Sequence, residues 1–248
     1  MRTLDKPMRQ HIIAMGGGGF SMEPENLLLD RYILAQARTP DPTVCFVPTA
    51  SGDQDNYVRR FYDAFTTLHC RPRHLSLFRV PTDDLDSYLL ESDVIYVGGG
   101  NSRNLVVLWR EYGLDLLLRR ALESGSVLAG ISAGANCWFE QAVSDSWGSV
   151  QSKAEGRAAV GNYLGFLRGS FCPHYDGEKH RRPEYHRLLA GGLIADGWAA
   201  DDGCALHFID GTVHAIVGSR TEAHAYRLTR VNGLAHEVRH ESRYLGAA

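Results

Sequence analysis

No stretch of 18 consecutive apolar residues occurs in this 248-residue chain, so no segment reads as a membrane-spanning helix. Positive charge is also scarce. Lys and Arg number 26 against 29 Asp and Glu, and no long basic run exists. That argues against nucleic acid or an anionic membrane surface as a partner. Cysteine is limited to Cys45, Cys70, Cys137, Cys172 and Cys204, an odd count without CxxC spacing. A disulfide framework is thereby disfavoured, and reduced thiols are expected. The opening MRTLDKPMRQ lacks the apolar core of a secretory signal, which with the reduced thiols predicts a cytoplasmic location. Repeats and low-complexity linkers are missing as well. The length suits a single α/β domain over 1–248 with a substantial core.

What the chain does have is alternation. Short apolar runs at His11–Met15, Thr43–Pro48, Arg73–Phe78, Asp93–Val97 and Val127–Ile131 read as strands. Between them, 23–38, 54–68, 104–110 and 114–124 read as helices; in 54–68, Tyr57, Phe61, Phe65 and Leu68 recur at spacings of four, four and three. Continuous apolar strands separated by helices predict a mostly parallel sheet covered by helices on both faces. Glycine-bearing turns at 16–19, 98–100 and 130–134 each follow a strand, so all three belong on the carboxyl edge, where ligands of such sheets sit. Beyond residue 140 the pattern loosens. Residues 148–161 read as a polar loop or lid. Strands or turns are expected at 166–175 and 198–208, a helix at 184–190, and closing antiparallel strands at 212–218, at 223–228 and after Gly233.

One turn carries the chemistry. Gly130-Ile131-Ser132-Ala133-Gly134 fits G-x-S-x-G, in which the glycines allow a sharp turn that lifts a serine hydroxyl out of a strand end. The Ala133 amide then faces a developing oxyanion at a helix start. A serine nucleophile needs a base, usually histidine, and the histidine needs an orienting carboxylate. His174 in SFCPHYDGE and the Asp201-Asp202 pair in AADDGC follow apolar runs and are the candidates in the order serine, histidine, acid. The α/β-hydrolase order, serine then acid then histidine, would take Asp176 or Asp202 with His207, His214 or His224; it is disfavoured because His207 and His214 lie in or beside alternating strands and no HGGG-type segment is present. A non-catalytic small-molecule or peptide-binding module is the third reading.

The segments YVGGGN, GISAGAN, PHYD and DDG, in that order, resemble the serine peptidases of the peptidase E (aspartyl dipeptidase) family, to which cyanophycinase is related. The resemblance covers roughly 11–218. It implies a class I glutamine amidotransferase-like (flavodoxin-like) α/β sandwich. It also implies Ser132 as nucleophile, His174 as base, and Asp202 as the acid where peptidase E has Glu, with Asp201 as the substitute. The oxyanion hole would use the amides of Ala133 and of Gly99 or Gly100. Asn101, Asp145, Arg181 and Arg182 become candidates for substrate binding, the arginines because an aspartyl side chain needs a cation. The expected activity is hydrolysis of short peptides through an acyl-enzyme, with no cofactor and no metal; a homodimer is left open.

Other patterns in the chain are weaker. Gly16–Gly19 fails the dinucleotide fingerprint, because Ser21 or Met22 falls at its third glycine. Cys172, His174, Asp176, Glu178 and His180 alternate without a zinc spacing. Cys137, five residues after Ser132, is placed inside a helix and is a poor nucleophile.

Overall fold

The computed structural model describes residues 8–79, 84–148 and 159–246. Fourteen strands lie in these residues: β1 (His11–Met15), β2 (Thr43–Val47), β3 (Arg71–His74), β4 (Val94–Val97), β5 (Val127–Ile131), β6 (Phe139–Ser144), β7 (Ala159–Asn162), β8 (Leu167–Cys172), β9 (Gly197–Ala200), β10 (Cys204–Ile209), β11 (Thr212–Gly218), β12 (His224–Val231), β13 (Leu234–Glu241) and β14 (Arg243–Tyr244). The helices are α1 (Gly19–Met22), α2 (Leu28–Leu34), α3 (Asp55–Phe65), α4 (Leu85–Leu90), α5 (Ser102–Tyr112), α6 (Leu114–Glu123), α7 (Ala133–Asn136) and α8 (Arg181–Ala190).

The strands form two sheets rather than one. The first has the order β14-β11-β10-β1-β5-β4-β2-β3, with β1, β5, β4, β2 and β3 mutually parallel. The second has the order β13-β12-β9-β8-β6-β7, with β9, β8 and β6 parallel. The chain is therefore α/β as expected, but the last strands do not simply close the first sheet. β12 joins β9 instead.

Residues of a strand alternate between two faces, and the core follows that rule. Ile12, Cys45, Ile95 and Leu128 join α5, α6 and the second sheet in one cluster. Their neighbours Ile13, Phe46, Tyr96 and Ala129 join Phe20, Leu29, Ile33, Phe61 and Phe65 of α1 to α3 in another. Both faces of the parallel strands are buried, which is why their sequences read as unbroken apolar runs. A third cluster seats Tyr185, Leu188 and Leu189 of α8 on Cys172, Ala199 and Tyr226 of the second sheet.

Several boundaries differ from the sequence reading. The long helix expected at 23–38 shrinks to α2, because Asn26 turns the chain and its side chain accepts the Leu28 amide. The third strand ends at His74; residues 76–78 instead wrap the buried Asp53 carboxylate, which accepts the Leu77 and Phe78 amides. The helix after Ser132 lasts one turn, since Trp138 and Phe139 leave it to stack on Phe166 and Phe171. Of the expected polar loop at 148–161, residues 149–158 lie outside the described residues and 159–161 belong to β7. The five cysteines are free, four of them buried.

Candidate active site

The three glycine turns meet at the carboxyl edge of the parallel strands. The carboxyl ends of β8 and β9 meet them there, bringing His174 and Asp202. Ser132 sits at φ 57°, ψ −115°, a conformation costly for any residue with a side chain. The surroundings impose it. A Cβ at Gly130 would stand 2.1 Å from the Gly134 carbonyl oxygen, and one at Gly134 would stand 2.2 Å from that of Val97. Both glycines of the motif are thus close-approach positions, and the serine between them is raised into the cavity.

That cavity, of about 460 Å³, is lined by Ser132, His174, Gly99 and Gly100 together with Tyr57 and Arg60, among others. His174 Nδ1 lies 2.7 Å from Asp202 Oδ1, and both side chains are mostly shielded, at 12% and 14% exposure. A carboxylate only accepts, so Nδ1–H donates and Nε2 is left as the acceptor of the neutral ring. No hydrogen bond joins Ser132 to His174 among the described residues, as is common in unliganded sites. His174 also has a positive φ of 52°, held by the hydrogen bond its N–H donates to the Gly16 carbonyl.

The structure separates the two aspartates. Asp201 is buried and faces away, accepting the His224 amide at 3.0 Å and the Tyr226 hydroxyl at 3.2 Å, while burial pushes its carboxyl up to about 6. Asp202 alone reaches His174. The histidines of the α/β-hydrolase order lie elsewhere. His207 is bonded to His11 and to the Tyr32 hydroxyl, burial pulls it down to about 4, and His224 pairs with Glu241. His214 stands against the His207 ring, 5.4 Å between centroids.

The oxyanion candidates also separate. The Gly99 amide donates to Tyr57 Oη at 3.2 Å, and that phenol is 2.7 Å from Ser21 Oγ. The Gly99 donor is thus engaged. The amides of Gly100 and Ala133 have no acceptor among the described residues. A Cβ on Gly99 would be 3.3 Å from Ser132 Cβ, so the 98–100 turn touches the serine.

The four substrate-binding candidates fare differently, and none lines the cavity. Asn101 caps α5, accepting the Asn104 amide at 2.9 Å. Arg181 is buried, donating to Glu178 at 2.6 Å and to the Val143 carbonyl at 2.9 Å, with exposed Asp145 3.9 Å away. Arg182 pairs with Glu237 over the Tyr175 and Tyr226 rings. Arg181 has a local partner in Glu178, but the Val143 carbonyl and Glu237 are distant in sequence, which the basic run KHRR does not reveal. The Lys or Arg that does line the cavity among the described residues is Arg60, donating to the Ser21 carbonyl at 3.0 Å and lying over Tyr57. The helical period over 54–68 could have placed Arg60 one turn from Tyr57, but nothing marked that helix end as part of the site. Cys137 is fully buried, its thiol pushed well up by burial and donating to Gly134 O. The described residues hold no cluster of three or more metal-ligating side chains and no helix long and apolar enough to cross a membrane.

Known proteins resemble this chain in sequence and fold. The profile of Peptidase family S51 matches residues 12–216. The Bacillus subtilis (strain 168) protein named Uncharacterized peptidase YgaJ is 56% identical over 237 residues, which span 96% of this chain and 100% of that one. Peptidase E of Streptomyces coelicolor is 34% identical over 93 residues, 38% of this chain and 37% of its own. Among solved structures, a peptidase from an acI-B1 Actinobacterium superposes with TM-score 0.69 at 16% identity, over 95% of each chain. A putative peptidase E protein from Listeria monocytogenes EGD-e gives 0.60 at 18% identity, over 89% of this chain and 100% of that one. At such identities the structural likeness speaks for the fold alone. The class is that of a peptidase, a hydrolase. The chain belongs to peptidase family S51.

Proposed function

We propose that the chain is a serine exopeptidase acting on short peptides through an acyl-enzyme at Ser132. The observation that carries this reading is the 2.7 Å His174–Asp202 contact opening into the cavity that also holds the strained Ser132. His174 Nε2 takes the Ser132 proton as Oγ attacks the scissile carbonyl carbon. The oxygen of that carbonyl becomes negative and is received by the amides of Ala133 and Gly100. Collapse of the tetrahedral species breaks the carbon–nitrogen bond, and His174 returns the proton to the leaving amine. Water, deprotonated by the same imidazole, then releases the acyl group and restores the serine. Asp202 holds the ring in the tautomer that leaves Nε2 basic and offsets its positive charge.

The cavity volume suits a di- or tripeptide. Arg60 at its wall is the cation we assign to an acidic first residue such as aspartate, the role the sequence reading gave to Arg181 and Arg182. A dipeptide panel with varied first residues, run beside Ser132→Ala and a fluorophosphonate probe, tests both parts. Expected is loss of hydrolysis and of labelling in Ser132→Ala with an unchanged fold. A Ser132→Ala protein that still turns over peptide overturns the mechanism.

A further inference from the structure

Asp202 lies where the chain crosses between the sheets. β9 of the second sheet ends at Ala200 and β10 of the first begins at Cys204, so Asp201, Asp202 and Gly203 make the whole crossing. Main-chain carbonyls secure most of it. The Asp201 amide donates to His224 O at 3.0 Å, that of Gly203 to Gly17 O at 3.0 Å, and that of Cys204 to Asp201 O at 3.1 Å. The amide of Asp202 is different. It donates to a side chain, Asp176 Oδ1, at 2.8 Å. Asp176 is exposed and contributes nothing to the core. It lies two residues after His174, in a turn closed by the Glu178 amide on the His174 carbonyl at 3.0 Å.

We propose that Asp176 is a positioning residue for the base and acid of the site. This rests on the Ser132–His174–Asp202 reading above. Beside the main-chain bond of the Tyr175 amide to the Ala200 carbonyl, two hydrogen bonds of Asp202 itself run between the turn and the crossing. Asp202 Oδ1 accepts from the His174 ring, and Asp202 N donates to Asp176. The closed ring fixes both the place of the acid and the plane in which its carboxylate meets the imidazole. Without the Asp176 bond, Asp202 keeps its contact to His174 but its peptide plane is free to rotate between anchored neighbours, and the imidazole loses its aim at Ser132. Other charges near the pair are Arg220, which is tied to Glu23 at 2.6 Å, and the buried Asp201. Neither donates to or accepts from Asp202. What the latch needs from Asp176 is an acceptor oxygen at that reach rather than a charge. Asparagine has one and alanine does not.

The experiment compares Asp176→Ala, Asp176→Asn and Ser132→Ala with the parent, reading kcat and KM separately and the rate of fluorophosphonate labelling per folded protein. Asp176→Ala should lose about tenfold or more in kcat and in labelling rate with KM little changed, because misplacing a reacting group costs turnover rather than affinity. Asp176→Asn should recover most of the loss. The downfield Nδ1–H proton resonance of His174 should broaden in Asp176→Ala and return in Asp176→Asn; it keeps the proposal open to refutation should Asp176→Ala fold poorly. Parental kcat in Asp176→Ala, or equal damage in Asp176→Asn, overturns the latch. An active Ser132→Ala would overturn the underlying mechanism instead, so the two failures are told apart.

Discussion

Gly17 offers the sharpest test of how tightly the acid and base are held. It has no positive φ, so its role is room alone. A Cβ built there would stand 1.9 Å from Asp202 Oδ1, 2.8 Å from its Cγ and 3.0 Å from His174 Nδ1. Gly17→Ala therefore places a methyl group against the atoms of the base–acid bond. The carboxylate must retreat by about 1 Å or more to reach ordinary contact distance. Its 2.7 Å bond to His174 is then stretched beyond useful hydrogen-bond length. Backbone retreat is opposed by the Gly203 amide on Gly17 O, so the side chain takes the displacement. A misplacement of that size in a catalytic group costs about 100-fold in rate, equivalent to about 2.7 kcal/mol of barrier. The assay is steady-state hydrolysis of the best dipeptide, with thermal melting as a check that the fold persists. The expected result is a large fall in kcat, a small change in KM and a modest change in Tm. A Gly17→Ala enzyme with parental kcat would refute the reasoning, for it would mean that the His174–Asp202 contact does not govern turnover.

Two further outcomes follow from other parts of the structure. Arg60→Met should raise KM roughly tenfold for peptides with an acidic first residue and leave neutral peptides alone, whereas Arg182→Met should alter stability rather than selectivity; equal effects on both peptide classes would remove Arg60 from recognition. Burial holds the Asp30 carboxyl at about 7, above its ordinary 3.8, so the folded chain keeps a proton that the unfolded chain releases. Its contribution is fully present below about pH 4 and is lost as the pH rises through 7. Asp30→Asn keeps an acceptor for the Phe20 amide, bonded at 2.9 Å, and should gain a few kcal/mol over the parent in urea unfolding at about pH 8, with little gain near pH 4; a pH-independent difference between the two proteins contradicts this.

The sequence carried the first sheet well because its strands are buried on both faces and its helices are amphipathic. Val94–Val97 and Tyr57–Phe65 declare themselves by composition and period. It carried the second sheet poorly. β6 follows one helical turn after Ser132, and pairing with β7 and β8, both later in the chain, makes it a strand. At the site, Ser132 and its glycines form a local pattern and were legible. Choosing Asp202 over Asp201 was not a local matter, since the side chains on either face of the crossing are decided by Tyr226 and His224 on one side and His174 on the other. The engaged Gly99 amide needed Tyr57, 42 residues earlier, to be seen. The basic run KHRR is engaged in a similar way: beside the local pair of Arg181 with Glu178, Arg181 reaches the Val143 carbonyl and Arg182 reaches Glu237, which no spacing within KHRR can disclose.

The crossing at 201–203 also sets where this chain can be reconnected. Circular permutation joins the old termini and opens new ones, and it succeeds at exposed turns. The Asn232–Gly233 turn between β12 and β13 is such a place: it is exposed, and a Cβ at Gly233 would touch nothing within 4 Å. New ends there leave the relation between the sheets intact. New ends at 201–203 would free the segment that carries Asp202, while the shared core keeps the two sheets packed. The base–acid contact would then be lost in a protein that is still largely folded, because Asp202 would sit at a free chain end.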